Sequence, residues 1–175
     1  MAPPAVADIS PRLTRFLALS CLLAAMALPT LVGLSWVRSP QPSYWAPDIG
    51  APPADHLRLL GGAMAMIPSL LFAGGLFLAA RCVSRFGRGE LFSPGAIADL
   101  KGFARLSFFG AAAGVIAPTI IGLALTVLNP AGMKELTVRV GSQELIGLLT
   151  SGIFWIIAGV LARAAQVAEE NRQFV

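Results

Sequence analysis

The chain has 175 residues, of which 56% are hydrophobic and 13% charged, with a mean hydropathy of +0.75. A soluble domain usually carries about 25% charge, so this composition leaves no room for a separate water-soluble catalytic or DNA-binding domain. The pI of 9.8 and net charge of +4 reflect Lys and Arg outside the apolar runs, which is a topology signal and not a nucleic-acid footprint.

Four runs without a charged side chain dominate the chain, at 16–37, 59–80, 106–128 and 145–162. At ~1.5 Å per helical residue, ~20 residues cross a hydrocarbon core ~30 Å thick. In lipid the backbone must satisfy its own hydrogen bonds, so each run predicts a helix. The expected fold is an all-α membrane protein: a four-helix transmembrane bundle occupying residues 12–175 as one domain.

The first 11 residues contain Pro3, Pro4 and Pro11 with almost no periodicity and predict a disordered tail. Ala25-Met26-Ala27 mimics a signal-peptide cleavage site. Cleavage there would strand half of an apolar run too long for a cleavable core, so the first run reads as an uncleaved anchor.

Residues 38–56 include Pro40, Pro42, Pro47, Pro52 and Pro53, a density that excludes helix and central strand. Tyr44, Trp45 and the preceding Trp36 read as interfacial anchors at the headgroup level.

The central connection is basic, with Arg81, Arg85 and Arg88. Ser93-Pro94 then reads as an N-cap followed by proline at the first helical position. Ile97, Leu100, Phe103, Ala104 and Leu106 recur at helical spacing among Asp99, Lys101 and Arg105. They predict an amphipathic helix on the inner surface before the third span.

Asn129-Pro130-Ala131-Gly132 marks a turn after that span. The stretch 135–140 alternates with period two and predicts a short strand. A lone strand is unstable, so it is expected to pack with the first external loop into a small outer cap. Beyond the fourth span, 163–175 continues in a helical pattern.

Basic residues near spans are retained on the cytoplasmic side. Arg12, Arg15, Arg81, Arg85, Arg88, Lys101, Arg105, Arg163 and Arg172 fall on one side of the predicted topology. Arg38, Arg58, Lys134 and Arg139 fall on the other. Both termini and the central connection are therefore expected in the cytoplasm.

No Asp, Glu, Lys, Arg or His lies inside a span, which disfavours ion-coupled transport and intramembrane proteolysis. His56 is the only histidine, too few for a metal site, and no cofactor is expected. Cys21 and Cys82 both lie toward the reducing side, against a disulfide. Gly110, Gly114, Pro118 and Gly122 form a four-residue-step stripe for close helix packing, within the chain or in a homo-oligomer. Pro29, Pro68 and Pro118 each interrupt a span and predict kinks. No P-loop, dinucleotide fingerprint, nucleophile elbow or Cys-x-x-Cys is present, and no enzyme is expected.

Three stretches resemble the bacterial membrane family known as domain of unknown function 2975. They are Gly89-Glu90-Leu91-Phe92-Ser93 with Ile97, Leu100 and Gly102, the strand-like 136–140, and Ala168-Glu169-Glu170-Asn171-Arg172-Gln173-Phe174-Val175 at the end. The proline-rich first loop has no counterpart. The resemblance implies a four-helix inner-membrane protein without assigned chemistry. It also implies a cytoplasmic partner, a helix-turn-helix regulator of the Xre type.

The leading expectation is thus a non-enzymatic regulatory protein of the inner membrane, with the lipid bilayer and a cytoplasmic transcription regulator as partners. Its docking candidates are Arg81, Arg85, Arg88, Phe92, Ser93, Lys101, Glu169, Glu170 and Asn171. The competing expectations are a small permease or transporter subunit, using the kinked bundle as a pathway, and a structural packing module of a membrane assembly.

Overall fold

A computed structural model describes residues 10–38, 55–90, 93–128 and 142–173. They form four helices: α1 Pro11–Arg38, α2 Asp55–Phe86, α3 Pro94–Leu128 and α4 Ser142–Gln173. All four are long and apolar enough to cross a membrane. Each also outruns its charge-free stretch. The 35 residues of α3 reach about 52 Å, well beyond a ~30 Å hydrocarbon core.

The helix starts follow from local chemistry. Ser10 accepts the Leu13 N–H at Oγ (3.3 Å), and Pro11 occupies the first helical position, where its missing donor is harmless. The first helix therefore begins at Pro11, where the tail was expected to end. Ser93 repeats the device for α3, accepting the Ala96 N–H at 3.2 Å ahead of Pro94.

Successive helices run antiparallel. Trp36 of α1 lies over Gly61 and Gly62 of α2, while Thr14 meets Gly87. Leu78 meets Gly102 and Phe72 meets Gly110 along α2 and α3; Ala111 meets Gly147 along α3 and α4. Among the described residues the backbones lie side by side as α1 with α2, α2 with α3 and α3 with α4, with α1 and α4 outermost. The start of α1, the α2–α3 turn and the end of α4 consequently share one end of the molecule.

The exterior identifies the solvent. The outermost spans, α1 and α4, bury only 6% and 11% of their most apolar window, against 28% and 33% for α2 and α3. The most apolar windows of those two least-buried helices have mean hydropathy 2.2, against 1.9 for the other two. In water that ordering would be reversed. Lipid is the medium that accepts it.

Inside, small side chains bring the backbones together: Ala65, Ala104 and Ala158 are fully buried. Gly75 fits against the Ser107 hydroxyl and the Phe103 carbonyl. The Gly110–Gly122 stripe is not one continuous seam, however. A Cβ on Gly110 would meet the Phe72 ring at 3.1 Å, whereas one on Gly114 would meet nothing within 4 Å. The α3–α4 contact passes through Ala111 instead, because Gly147 leaves room for it there.

Pro29, Pro68 and Pro118 lie within unbroken helices. Each is followed by a hydroxyl residue that donates to a carbonyl one turn back. Thr30 reaches the Ala27 carbonyl at 2.8 Å, Ser69 that of Met66 at 2.8 Å, and Thr119 that of Val115 at 3.1 Å. Such bonds support the carbonyls around the site of the missing proline donor.

Two expectations change. Trp36 is not a headgroup anchor: it is 9% exposed, packed with Ala65, Ile121, Val32 and Met64, because paired glycines on α2 leave a flat seat for the indole. The surface helix expected before the third span is the first part of α3 itself, held along α2 and not laid on a membrane surface. No strand occurs among the described residues, and the expected strand 135–140 and first-loop cap lie outside them.

Candidate functional site at the basic end

The α2–α3 turn is built by two caps in succession. Gly89 takes φ +80°, a left-handed conformation that costs glycine nothing. Glu90 N–H donates to the Arg85 carbonyl at 3.1 Å and Gly89 N–H to that of Phe86 at 3.0 Å, the Schellman pattern of a helix C-terminus. Ser93 then caps α3. Thr14, 6% exposed, closes the turn from the α1 side against Gly87.

This turn brings Asp99 under the last turns of α2. Asp99 is 7% exposed. Arg85 Nε donates to its Oδ2 at 3.0 Å, and Arg81 Nε lies 3.7 Å from the same oxygen. Arg85 also reaches Glu90 at 3.7 Å, and Arg88 pairs with Glu90 at 3.4 Å. A carboxylate out of water is tolerated only when paired, and two guanidiniums one helical turn apart supply that. The guanidinium of Arg85 also lies against Gly95, at a distance no Cβ would permit. Beside the pair, the buried Cys82 thiol donates to the Ala96 carbonyl at 3.5 Å.

The docking candidates therefore divide. Arg85 is committed to Asp99 and Glu90 inside the protein, and Ser93 to its cap, so neither is a free docking group. The side chains of Arg81 and Arg88 are 51% and 61% exposed and remain displayed. Lys101 is half-buried. Phe92 lies outside the described residues. Glu169 and Asn171 fall within α4, and Glu170 is exposed, accepting the Gln166 amide N–H at 3.0 Å.

The register set by Ala111 and Gly147 carries roughly the last two turns of α4 past the first residue of α3. Val167 there is 56% exposed. Farther toward the membrane, the Arg105 guanidinium stacks 5.8 Å from the ring centre of Trp155, and Phe103 meets Phe154 edge-on at 5.3 Å. These ring contacts hold α4 against α3 within the stretch where the two helices overlap.

Sequence reasoning placed Asp99 on the polar face of a surface helix and missed its role. The available signal was the i, i+4 pair Arg81 and Arg85, which puts two cations on one helical face. Among the described residues no three His, Cys, Asp or Glu side chains are grouped to hold a metal ion. The chain matches no protein-family model, no curated protein and no solved structure.

Proposed function

We propose that this chain is a multi-pass protein of the bacterial inner membrane, with both termini and the α2–α3 turn in the cytoplasm. In this reading it displays its basic end to a cytoplasmic regulator. The observation that carries the proposal is the contrast at that end. Arg85 is locked to Asp99, while Arg81, Arg88 and the α4 overhang with Val167 and Glu170 are exposed beside the capped end of α2. Clustered Lys and Arg on that side support a cytoplasmic orientation. An exposed helical end with apolar and acidic side chains fits a partner that supplies an apolar seat and basic groups.

The resemblance to the family of domain of unknown function 2975 supports the partner's class, a helix-turn-helix regulator. Gly89 and Ser93, two residues that carry the resemblance, are the two caps of the turn.

Photo-crosslinkers at Arg88 and Val167 in living cells test this reading. The expected adduct at both positions is one soluble DNA-binding regulator, lost when residues 169–175 are deleted. Adducts to lipid and integral membrane proteins alone contradict it.

A further inference from the structure

The ends of α1 and α2 remote from the basic turn enclose an apolar groove that the docking reading does not use. Gly33, Trp36 and Val37 form one wall, Leu59 and Gly62 the other, around about 520 Å3. That volume lies within the ~300–1,000 Å3 of ordinary small-ligand sites. Two glycines give the groove its depth. A Cβ on Gly33 would meet nothing within 4 Å, and one on Gly62 would sit 3.6 Å from the Trp36 ring. Val37 and Leu59, each 75% exposed, flank an opening onto the apolar exterior.

Asp55, the first residue of α2, is the one ionisable residue in the lining. The groove thus has an apolar floor with a single carboxylate, that of Asp55, in its lining. We infer that it holds one acyl chain of an amine-bearing phospholipid, whose ammonium pairs with Asp55. An anionic headgroup would bring like charge to Asp55. A water-soluble ligand would gain nothing from an opening flanked by Val37 and Leu59. The inference rests on the membrane reading of the chain but not on the docking partner.

Quenching of tryptophan fluorescence by acyl-brominated lipids tests it, since Trp36 forms part of the wall. A variant with Trp45→Phe and Trp155→Phe, in bilayers of defined composition, reports Trp36 alone. Brominated phosphatidylethanolamine should quench it with about threefold higher apparent affinity than brominated phosphatidylglycerol, the scale of one exposed charge pair. Asp55→Asn should remove that preference. Gly33→Leu, with helix content unchanged by circular dichroism, should reduce quenching to the bulk-lipid level. Equal quenching by both lipids, or no effect of Gly33→Leu, overturns the site; the second result would leave 39–54 of the chain itself as the occupant. A Trp155-only variant separates the two premises. It should be quenched by every lipid alike, and no quenching there would contradict membrane embedding itself.

Discussion

Arg85 Nε and Asp99 Oδ2 stand 3.0 Å apart across the α2–α3 turn, joining residues fourteen positions distant in sequence. The pair is asymmetric: Asp99 is enclosed, while the Arg85 side chain is 27% exposed and has Glu90 as a second partner. Removing either side should therefore have unequal effects. Arg85→Met leaves a buried carboxylate with Arg81 alone and should destabilise by about 2–4 kcal/mol. Asp99→Leu leaves an arginine that can turn to Glu90 and to water, and should cost about 1–2 kcal/mol. The double variant should recover most of the Arg85→Met loss. Unfolding free energies in mild detergent or bicelles check all three.

Gly89 requires its positive φ to close the Schellman turn. Gly89→Ala should cost about 1 kcal/mol without changing helix content, because only the C-cap of α2 is strained. Thermal unfolding followed by circular dichroism reads both quantities.

The glycine stripe on α3 makes a contrasting pair. Gly110→Leu drives a side chain into the Phe72 ring and should cost about 1–3 kcal/mol. Gly114→Leu enters open space and should change monomer stability by no more than about 0.5 kcal/mol. If Gly114→Leu shifts only the oligomeric state, measured by light scattering in detergent, that open position is a protomer contact.

Cys82 is 2% exposed and bonded to the Ala96 carbonyl, whereas Cys21 is half-buried on α1. Maleimide should modify Cys82 of the folded protein only as fast as the α2–α3 hairpin opens. Arg85→Met should accelerate that reaction without comparably affecting Cys21. Mass spectrometry of timed labelling resolves the two thiols.

The helices were legible because lipid imposes a simple rule: 16–37, 59–80, 106–128 and 145–162 exclude charge, and each lies within one observed helix. Ser93-Pro94 was equally legible, since N-capping is local chemistry. The full helix lengths were harder to read. Charge-free runs mark where lipid is, but the helical backbone continues through Arg81–Phe86 and Pro94–Arg105, where charged side chains are welcome.

The core of the candidate site escaped because it is a tertiary fact. Asp99 looks solvent-facing on an isolated amphipathic helix, and only the packing of α3 along α2 brings it beneath Arg85. Trp36 escaped similarly. Its burial depends on Gly61 and Gly62, whose adjacency was a readable sign of a flat seat but did not name the ring that would fill it.

The central claim is that four helices cross the membrane and leave the basic end in the cytoplasm. Single cysteines at Asp55, Arg88 and Glu170, in a chain lacking Cys21 and Cys82, test it with a membrane-impermeant maleimide. The account predicts that position 55 is labelled in intact spheroplasts, and positions 88 and 170 only after permeabilisation. Labelling of 88 or 170 in intact spheroplasts, with 55 protected, would contradict it.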